Sequence, residues 1–313
     1  MIVEPLMYKN VLGNTDLELE AEAGESLLVL DILAYNSAGN YMTVSIDKAT
    51  VGYFRVGGSG GSHQCINQSN AGLGLGFGGQ SPHPGRSVLA MLRSLGIFNG
   101  YPIGEGQKLT IDGVAQAGAF QIVIYQKGKA GDYKPTDTNG SDSNEFMFLN
   151  YGRTAAVVDT STDTILDTPQ TPVQFPAFPF GSDVPSNYEI TLHGILASDF
   201  TDDQGGNDEI STDYLKLIKD RTTLFDEDRN GLVMAGPDAP GGGSNIATGR
   251  AVIGNFSEVD ERPPLIFPEP MVFGSGQELG VYWTTTADAG MATAEMTAEE
   301  SEVCFIETAR RLR

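Results

Sequence analysis

The strongest constraint in this 313-residue chain is that part of it occurs twice. Tyr101–Asp112 reads YPIGEGQKLTID and Pro270–Tyr282 reads PMVFGSGQELGVY, so Gly106, Gln107 and Leu109 line up with Gly276, Gln277 and Leu279 at one constant offset. Each copy has a Pro shortly before a Gly-x-Gly-Gln turn, and each turn opens an apolar strand. A further apolar run follows in both places, Phe120–Tyr125 (FQIVIY) and Val303–Ile306 (VCFI). Comparable runs lie upstream at Leu27–Tyr35 (LLVLDILAY) and Tyr188–Ala197 (YEITLHGILA). Such a repeat limits the fold to one that can be built twice, in units of about 150 residues.

The repeated unit reads as β. Tyr41–Ile46 (YMTVSI) and Val51–Val56 (VGYFRV) are β-branched and aromatic, with Asp47 and Lys48 between them, which predicts a hairpin. Leu149–Val158, Ala251–Phe256 and Leu279–Thr284 behave similarly. Strands recurring between Gly, Pro and Asp turns indicate a sandwich or barrel, and 39 Gly with 16 Pro supply those turns. Helices are expected at Ser87–Leu95, where Leu89, Leu92 and Leu95 are helically spaced, and at Ser211–Leu224, where Tyr214, Leu215 and Ile218 form a stripe. The polar stretch Lys129–Asn144 predicts a linker, giving a first domain over 1–130, a linker over 131–148 and a second domain over 149–313. Loops run long at Gly57–Gly85, Asp199–Asp213 and Gly236–Gly249. Pro169–Pro185, which interleaves prolines with Phe175, Phe178 and Phe180, is expected to be an extended packing or contact arm rather than a central strand.

Charge divides the chain unevenly. Residues 1–130 carry 8 Lys+Arg and 10 Asp+Glu, whereas residues 131–313 carry 11 and 31, so nearly all of the net charge of −22 lies in the second half. That balance argues against a nucleic-acid backbone as a specific partner. No stretch approaches the ~20 apolar residues of a membrane span, and Met1–Asp16 lacks a basic region followed by an apolar block, so no secretory signal is expected. Cys65 and Cys304 lie far apart, with no metal-ligand spacing around them.

The chemical motifs are weak. Gly74, Gly76 and Gly79 match GxGxxG, but Pro82 and Pro84 stand where a phosphate-binding helix should continue. Gly57, Ser59 and Gly61 match GxSxG only within a glycine-rich run, and His63, His83 and His193 have no triad or metal partner in spacing. The best metal signal is Asp226, Asp228, Asn230 and Gly231, which spell DxDxNG, the first half of a calcium loop. Position 12 of that loop is Pro237, with Asp238 one residue on, so Asp226, Asp228, Asn230 and Asp238 are either ligands of a structural calcium ion or a solvated acidic turn. No other cofactor is called for. The C-terminal Ala309–Arg313 (ARRLR) forms a small basic patch, either a phosphate contact or an exposed tail.

Two β-rich halves, each with the Gly-x-Gly-Gln opening and a final apolar strand, resemble the double jelly-roll major capsid proteins of tailless icosahedral viruses with an internal membrane, especially those of membrane-containing bacteriophages. The resemblance implies an all-β fold of two antiparallel jelly-roll sandwiches in tandem, with no enzymatic activity. It also implies a homotrimer that forms pseudo-hexagonal capsomers around an internal membrane. The implied partners are copies of the chain, minor virion proteins and the membrane surface, and the implied location is the virion, assembled in the host cytoplasm. The alternative is a secreted or surface two-domain β-sandwich that binds carbohydrate, against which Trp283, the one Trp, falls in a predicted strand rather than on an exposed platform.

Overall fold

Strict alternation decides which face of a strand turns inward. In Leu17–Glu20 both leucines are buried and both glutamates exposed, so one face joins a core and the other meets solvent. The computed structural model describes residues 6–12, 15–35, 40–56, 88–112, 120–133, 145–153, 157–158, 162–169, 177–198, 214–225, 232–233, 265–285, 295–296 and 303–312.

In the first half the strands are β1 (Met7–Leu12), β2 (Leu17–Glu20), β3 (Glu25–Tyr35), β4 (Asn40–Ile46), β5 (Ala49–Val56), β6 (Tyr101–Ile103), β7 (Lys108–Asp112) and β8 (Phe120–Lys129), with helix α1 (Val88–Ser94) before β6. They form two antiparallel sheets, in the orders β1-β8-β3-β6 and β2-β7-β4-β5. The second half has β9 (Glu145–Arg153), β10 (Val157–Val158), β11 (Thr162–Ile165), β12 (Thr168–Pro169), β13 (Tyr188–Ser198), β14 (Tyr214–Lys219), β15 (Thr222–Phe225), β16 (Leu232–Val233), β17 (Leu265–Phe273), β18 (Leu279–Thr285), β19 (Glu295–Met296) and β20 (Val303–Arg311). Its main sheets run β9-β20-β13-β17, with β12 flanking β9, and β11-β18-β14-β15, with β16 also on β14. Strand for strand this is the order of the first half, and eight strands shared in this way between two sheets make a jelly roll. The chain is therefore a two-domain β-sandwich of the double jelly-roll type.

Equivalence extends to single hydrogen bonds. In the first half Gly106 stands at φ 75° and Asp47, at the β4–β5 turn, at φ 54°. The Asp47 carboxylate accepts from the Lys108 backbone N–H at 3.1 Å and from Gln107 Nε2 at 3.1 Å, while Asp47 N–H donates to the Lys108 carbonyl at 2.7 Å. Gln107 Oε1 accepts from Gly104 N–H at 3.0 Å. Gly106 N–H donates to Ala21 O at 2.8 Å, and Ala21 N–H returns a bond to Gln107 O at 3.0 Å. In the second half Gly276 stands at φ 77° and Asp220 at φ 53°. Asp220 accepts from Glu278 N–H at 3.0 Å and from Gln277 Nε2 at 3.3 Å, and Gln277 Oε1 accepts from Gly274 N–H at 2.8 Å. Gly276 N–H donates to Val184 O at 2.8 Å and Val184 N–H to Gln277 O at 3.0 Å. Each clasp ties three separated segments together: the lead-in to β3 or β13, a hairpin tip, and the start of β7 or β18. A bulge repeats as well, with Val51 of β5 the extra residue opposite the Val44–Ser45 step of β4 and Leu224 of β15 the extra residue opposite the Leu217–Ile218 step of β14.

The halves diverge where backbones come closest. A Cβ on Gly100, just before β6, would lie 2.8 Å from Val29 O of β3. In the second half the position without room is on the other strand: a Cβ on Gly194 of β13 would lie 2.1 Å from Leu265 O of β17.

The helix expected over Ser211–Leu224 is not formed; that stretch is the β14–β15 hairpin, the counterpart of β4–β5. YLKLIK satisfies both periods, and cross-strand pairing decides, because β14 is hydrogen-bonded to β18 on one side and to β15 on the other. Leu217, which lay off the helical stripe, is accordingly buried. The helix expected over Ser87–Leu95 is α1, with Leu89 and Leu92 buried. It stops at Gly96 (φ 74°), where Gly96 N–H donates to Arg93 O and Ile97 N–H to Leu92 O, which leaves Leu95 past the helix end and half exposed.

The chain divides into two units, the first comprising Met1–Leu149, Phe256–Glu258 and Thr308–Arg313 and the second Asn150–Asn255 with Val259–Glu307. Of the stretch read as a linker, residues 131–133 turn back on β3, with Tyr133 N–H donating to Ser26 Oγ at 3.2 Å, and β9 begins at Glu145.

If the clasps are energetically equivalent, Gln107→Ala and Gln277→Ala should each cost about 1–2 kcal/mol, since each removes a side chain that both donates to a carboxylate and accepts from a backbone amide. Chemical denaturation monitored separately for the two units tests this. A loss in one unit and none in the other would break the equivalence.

Candidate functional site

Most of the residues singled out in the sequence lie outside the described residues. These are Asp226, Asp228, Asn230 and Asp238 of the calcium motif, His63 and His83, Cys65, Phe175, the GxGxxG and GxSxG glycines and the three long loops. Among the described residues, no group of three or more His, Cys, Asp or Glu could hold a metal ion. Cys304 is buried within β20.

The Pro-rich segment is not a contact arm where it is described. Phe178 and Phe180 are fully buried within the second unit, Phe178 against Phe273 of β17 with centroids 4.9 Å apart and Phe180 against Phe305 of β20 at 5.6 Å. Phe180 also covers the bare backbone of β9: a Cβ built on Gly152 would lie 1.9 Å from its ring. The sequence showed aromatic side chains without a strand to hold them, and the missing information was the glycine that makes room for one.

The C-terminal ARRLR is not a free tail either. β20 runs through Arg311 between β9 and β13, so Ala309 is buried, Arg310 partly so, and Arg311 exposed. Exposed apolar surface gathers instead at the other end of the chain. Leu6, Met7 and Tyr8 are 62%, 39% and 74% exposed where β1 begins, and consecutive strand residues point to opposite faces, so the start of β1 meets solvent on both sides.

Titratable groups are perturbed by their surroundings at the β13 bulge and on the β2–β7 face. His193 sits at the bulge between Leu192 and Gly194 in the β13–β17 pairing, and burial holds its imidazole below the ordinary value. On the outer face of β2 and β7, the register that sets Leu17 against Ile111 brings Asp16 to Asp112. Partial burial, the facing Asp112 carboxyl and Glu18 raise Asp16 above the usual carboxylate range. One step along, Glu18 is lowered by its 2.7 Å bond from Lys108 Nζ. The hydrophobic alternation of β2 revealed which face was solvated, but only the strand register could reveal that two carboxyls meet across it.

No family model matches the chain, and no curated protein does. Solved structures that match include a peptide-N(4)-(N-acetyl-β-D-glucosaminyl)asparagine amidase at 10% identity and a TM-score of 0.29, covering 98% of this chain and 96% of that one. A recombinant peptide:N-glycanase F (PNGase F) matches at 11% identity and 0.31, with the same coverage. PNGase F, a glycosylasparaginase from Flavobacterium meningosepticum, matches at 10% and 0.29, covering 99% and 96%. The expectation that the chain has no enzymatic activity is corrected by this comparison, since the solved structures found are of an amidase. At these TM-scores the likeness assigns no substrate and no residue role to this chain.

Two measurements test the geometry above. Phe180→Ala should destabilise the second unit by about 3–5 kcal/mol in chemical denaturation, the cost of emptying a fully buried ring site, whereas a contact arm would lose almost nothing. For Asp16 the raised native pKa means that protonation stabilises the fold below the ordinary carboxylate value and that this contribution is lost as pH rises through the raised one. Asp16→Asn should therefore melt slightly higher than wild type at neutral pH, by a small margin because the pair is solvent-screened, and the two curves should converge in acid. A lower melting temperature for the variant at neutral pH would contradict the assignment.

Proposed function

We propose that this chain is a coat protein whose two jelly rolls act as near-equivalent building blocks of a viral shell, three chains associating into a pseudo-hexagonal capsomer. The observation that carries the reading is the strand-for-strand repetition of the sandwich, down to the same Asp-Gln clasp. Three copies of a chain with two similar units present six similar blocks about a threefold axis, which is what tiling a surface with near-sixfold symmetry requires. The exposed apolar start of β1 offers contact area that a monomer would leave in water. The charge asymmetry suits an orientation in which the strongly acidic second half faces away from an anionic internal membrane. On this reading the partners are other copies of the chain, neighbouring capsomers, minor virion proteins and the lipid surface, and the protein resides in the virion after assembly in the host cytoplasm.

Sedimentation and negative-stain imaging of gently purified protein test the reading. Trimers of capsomer dimensions, or shells, are expected, with each pairwise interface burying at least roughly 1,000 Å². A strict monomer at high concentration overturns it, and a monomer that binds oligosaccharides would identify the chain as a carbohydrate-binding two-domain β-sandwich.

A further inference from the structure

The connection from α1 to β6 is anchored at both ends and free only in the middle. Ile97 N–H and Phe98 N–H both donate to Leu92 O, at 3.0 and 3.3 Å, and Phe98 is buried. Tyr101, equally buried, opens β6 and meets Phe98 edge to face with centroids 4.9 Å apart. Between these aromatics stand Asn99, exposed, and Gly100, which belongs to neither helix nor strand. Among the described residues neither Asn99 nor Gly100 forms a hydrogen bond.

We propose that Asn99–Gly100 is a site of spontaneous deamidation, with water as the only co-reactant. The Gly100 amide nitrogen loses its proton and attacks Asn99 Cγ. A C–N bond closes a five-membered succinimide, the Cγ–Nδ2 bond breaks, and ammonia leaves with the proton it takes up. Water then opens the ring at either carbonyl, giving aspartate or isoaspartate. Three features of the segment favour the step: no side chain on Gly100 crowds the attacking nitrogen, no hydrogen bond among the described residues holds that nitrogen or the Asn99 amide, and Asn99 is exposed to solvent. Asparagine is among the residues that fail first chemically in otherwise stable proteins.

The consequence is local and structural. Either product adds a carboxylate at position 99, and the isoaspartate route also carries the main chain through the former side-chain methylene, lengthening the link between Phe98 and Tyr101. There is no slack to absorb that length, because the Gly100 backbone already lies so close to Val29 O and the Leu28 side chain that even a Cβ would collide. The pairing of Leu27, Leu28 and Val29 with Ile103, Pro102 and Tyr101 must give instead, so conversion loosens the edge strand β6 from β3.

Asn139–Gly140 and Asn230–Gly231 have the same dipeptide and lie outside the described residues, so they serve as internal comparators. The full-length native chain is incubated in mildly alkaline buffer at body temperature beside the same chain unfolded in urea, and peptides are mapped by mass spectrometry with enzymatic labelling of isoaspartate. The expected result is amide-to-acid conversion at position 99 in the native chain at a rate comparable to the unfolded one, lost in Asn99→Gln. Conversion at position 99 only in urea, or native conversion confined to the other two Asn-Gly pairs, overturns the proposal.

Discussion

An aspartate held in a left-handed turn conformation is the constraint on which each unit depends. Asp47 and Asp220 sit at hairpin tips at φ near 54°, a conformation that Asp tolerates better than most side chains because its short carboxylate can bond locally. Here the carboxylate bonds outward, to a backbone amide at the start of the neighbouring strand, β7 or β18, and to the glutamine one residue before that amide. That glutamine closes its own Gly-x-Gly-Gln turn, whose glycine donates to the segment that leads into β3 or β13. A jelly roll brings strands distant in sequence side by side, and pairing alone leaves the ends of those strands free to slide by two residues. The clasp fixes them, since a slip would strand a carboxylate and three backbone groups without partners.

The fold was legible to the extent that its signals were local. The Gly-x-Gly-Gln repeat, the alternating strands and the Asp47–Lys48 turn are all written within a few residues of one another. The second aspartate was not recognised, because Asp220 was read inside a helix on the strength of Tyr214, Leu215 and Ile218. Its signal was nevertheless present, an Asp followed by a basic residue between two apolar runs, as at Asp47–Lys48. The sequence left open whether Phe178 and Phe180 pack inward or form contacts, because the room for Phe180 is made by Gly152, a glycine of β9. The meeting of Asp16 with Asp112 was hidden for a similar reason: it is a property of register between strands far apart in sequence, not of either strand.

These findings relocate the surface available for association. Of the two readings of the Pro-rich arm, packing or contact, Phe178 and Phe180 take the first and fill the second core, and the basic C-terminal segment is largely a central strand. Among the described residues, the apolar beginning of β1 in the first unit and the charged outer face of β2 and β7 face solvent. Contacts that use such surfaces would be set by exposed edges and charge, with the cores committed to holding each sandwich together.

The two close approaches, Gly100 against Val29 and Gly194 against Leu265, bear on how interchangeable the duplicated halves still are. Both mark the same strand pairing, but the residue that gives up its side chain stands on opposite partners. Counting from the first residue of each strand, Asp31 of β3 occupies the place of Gly194 in β13. Replacing β13 by the sequence of β3 would drive an aspartate side chain into Leu265 O, whereas the reverse graft would put a glycine where β3 has the buried Asp31. The second unit has thus come to require the absence of a side chain where the first keeps an aspartate, and it can no longer take back the original strand.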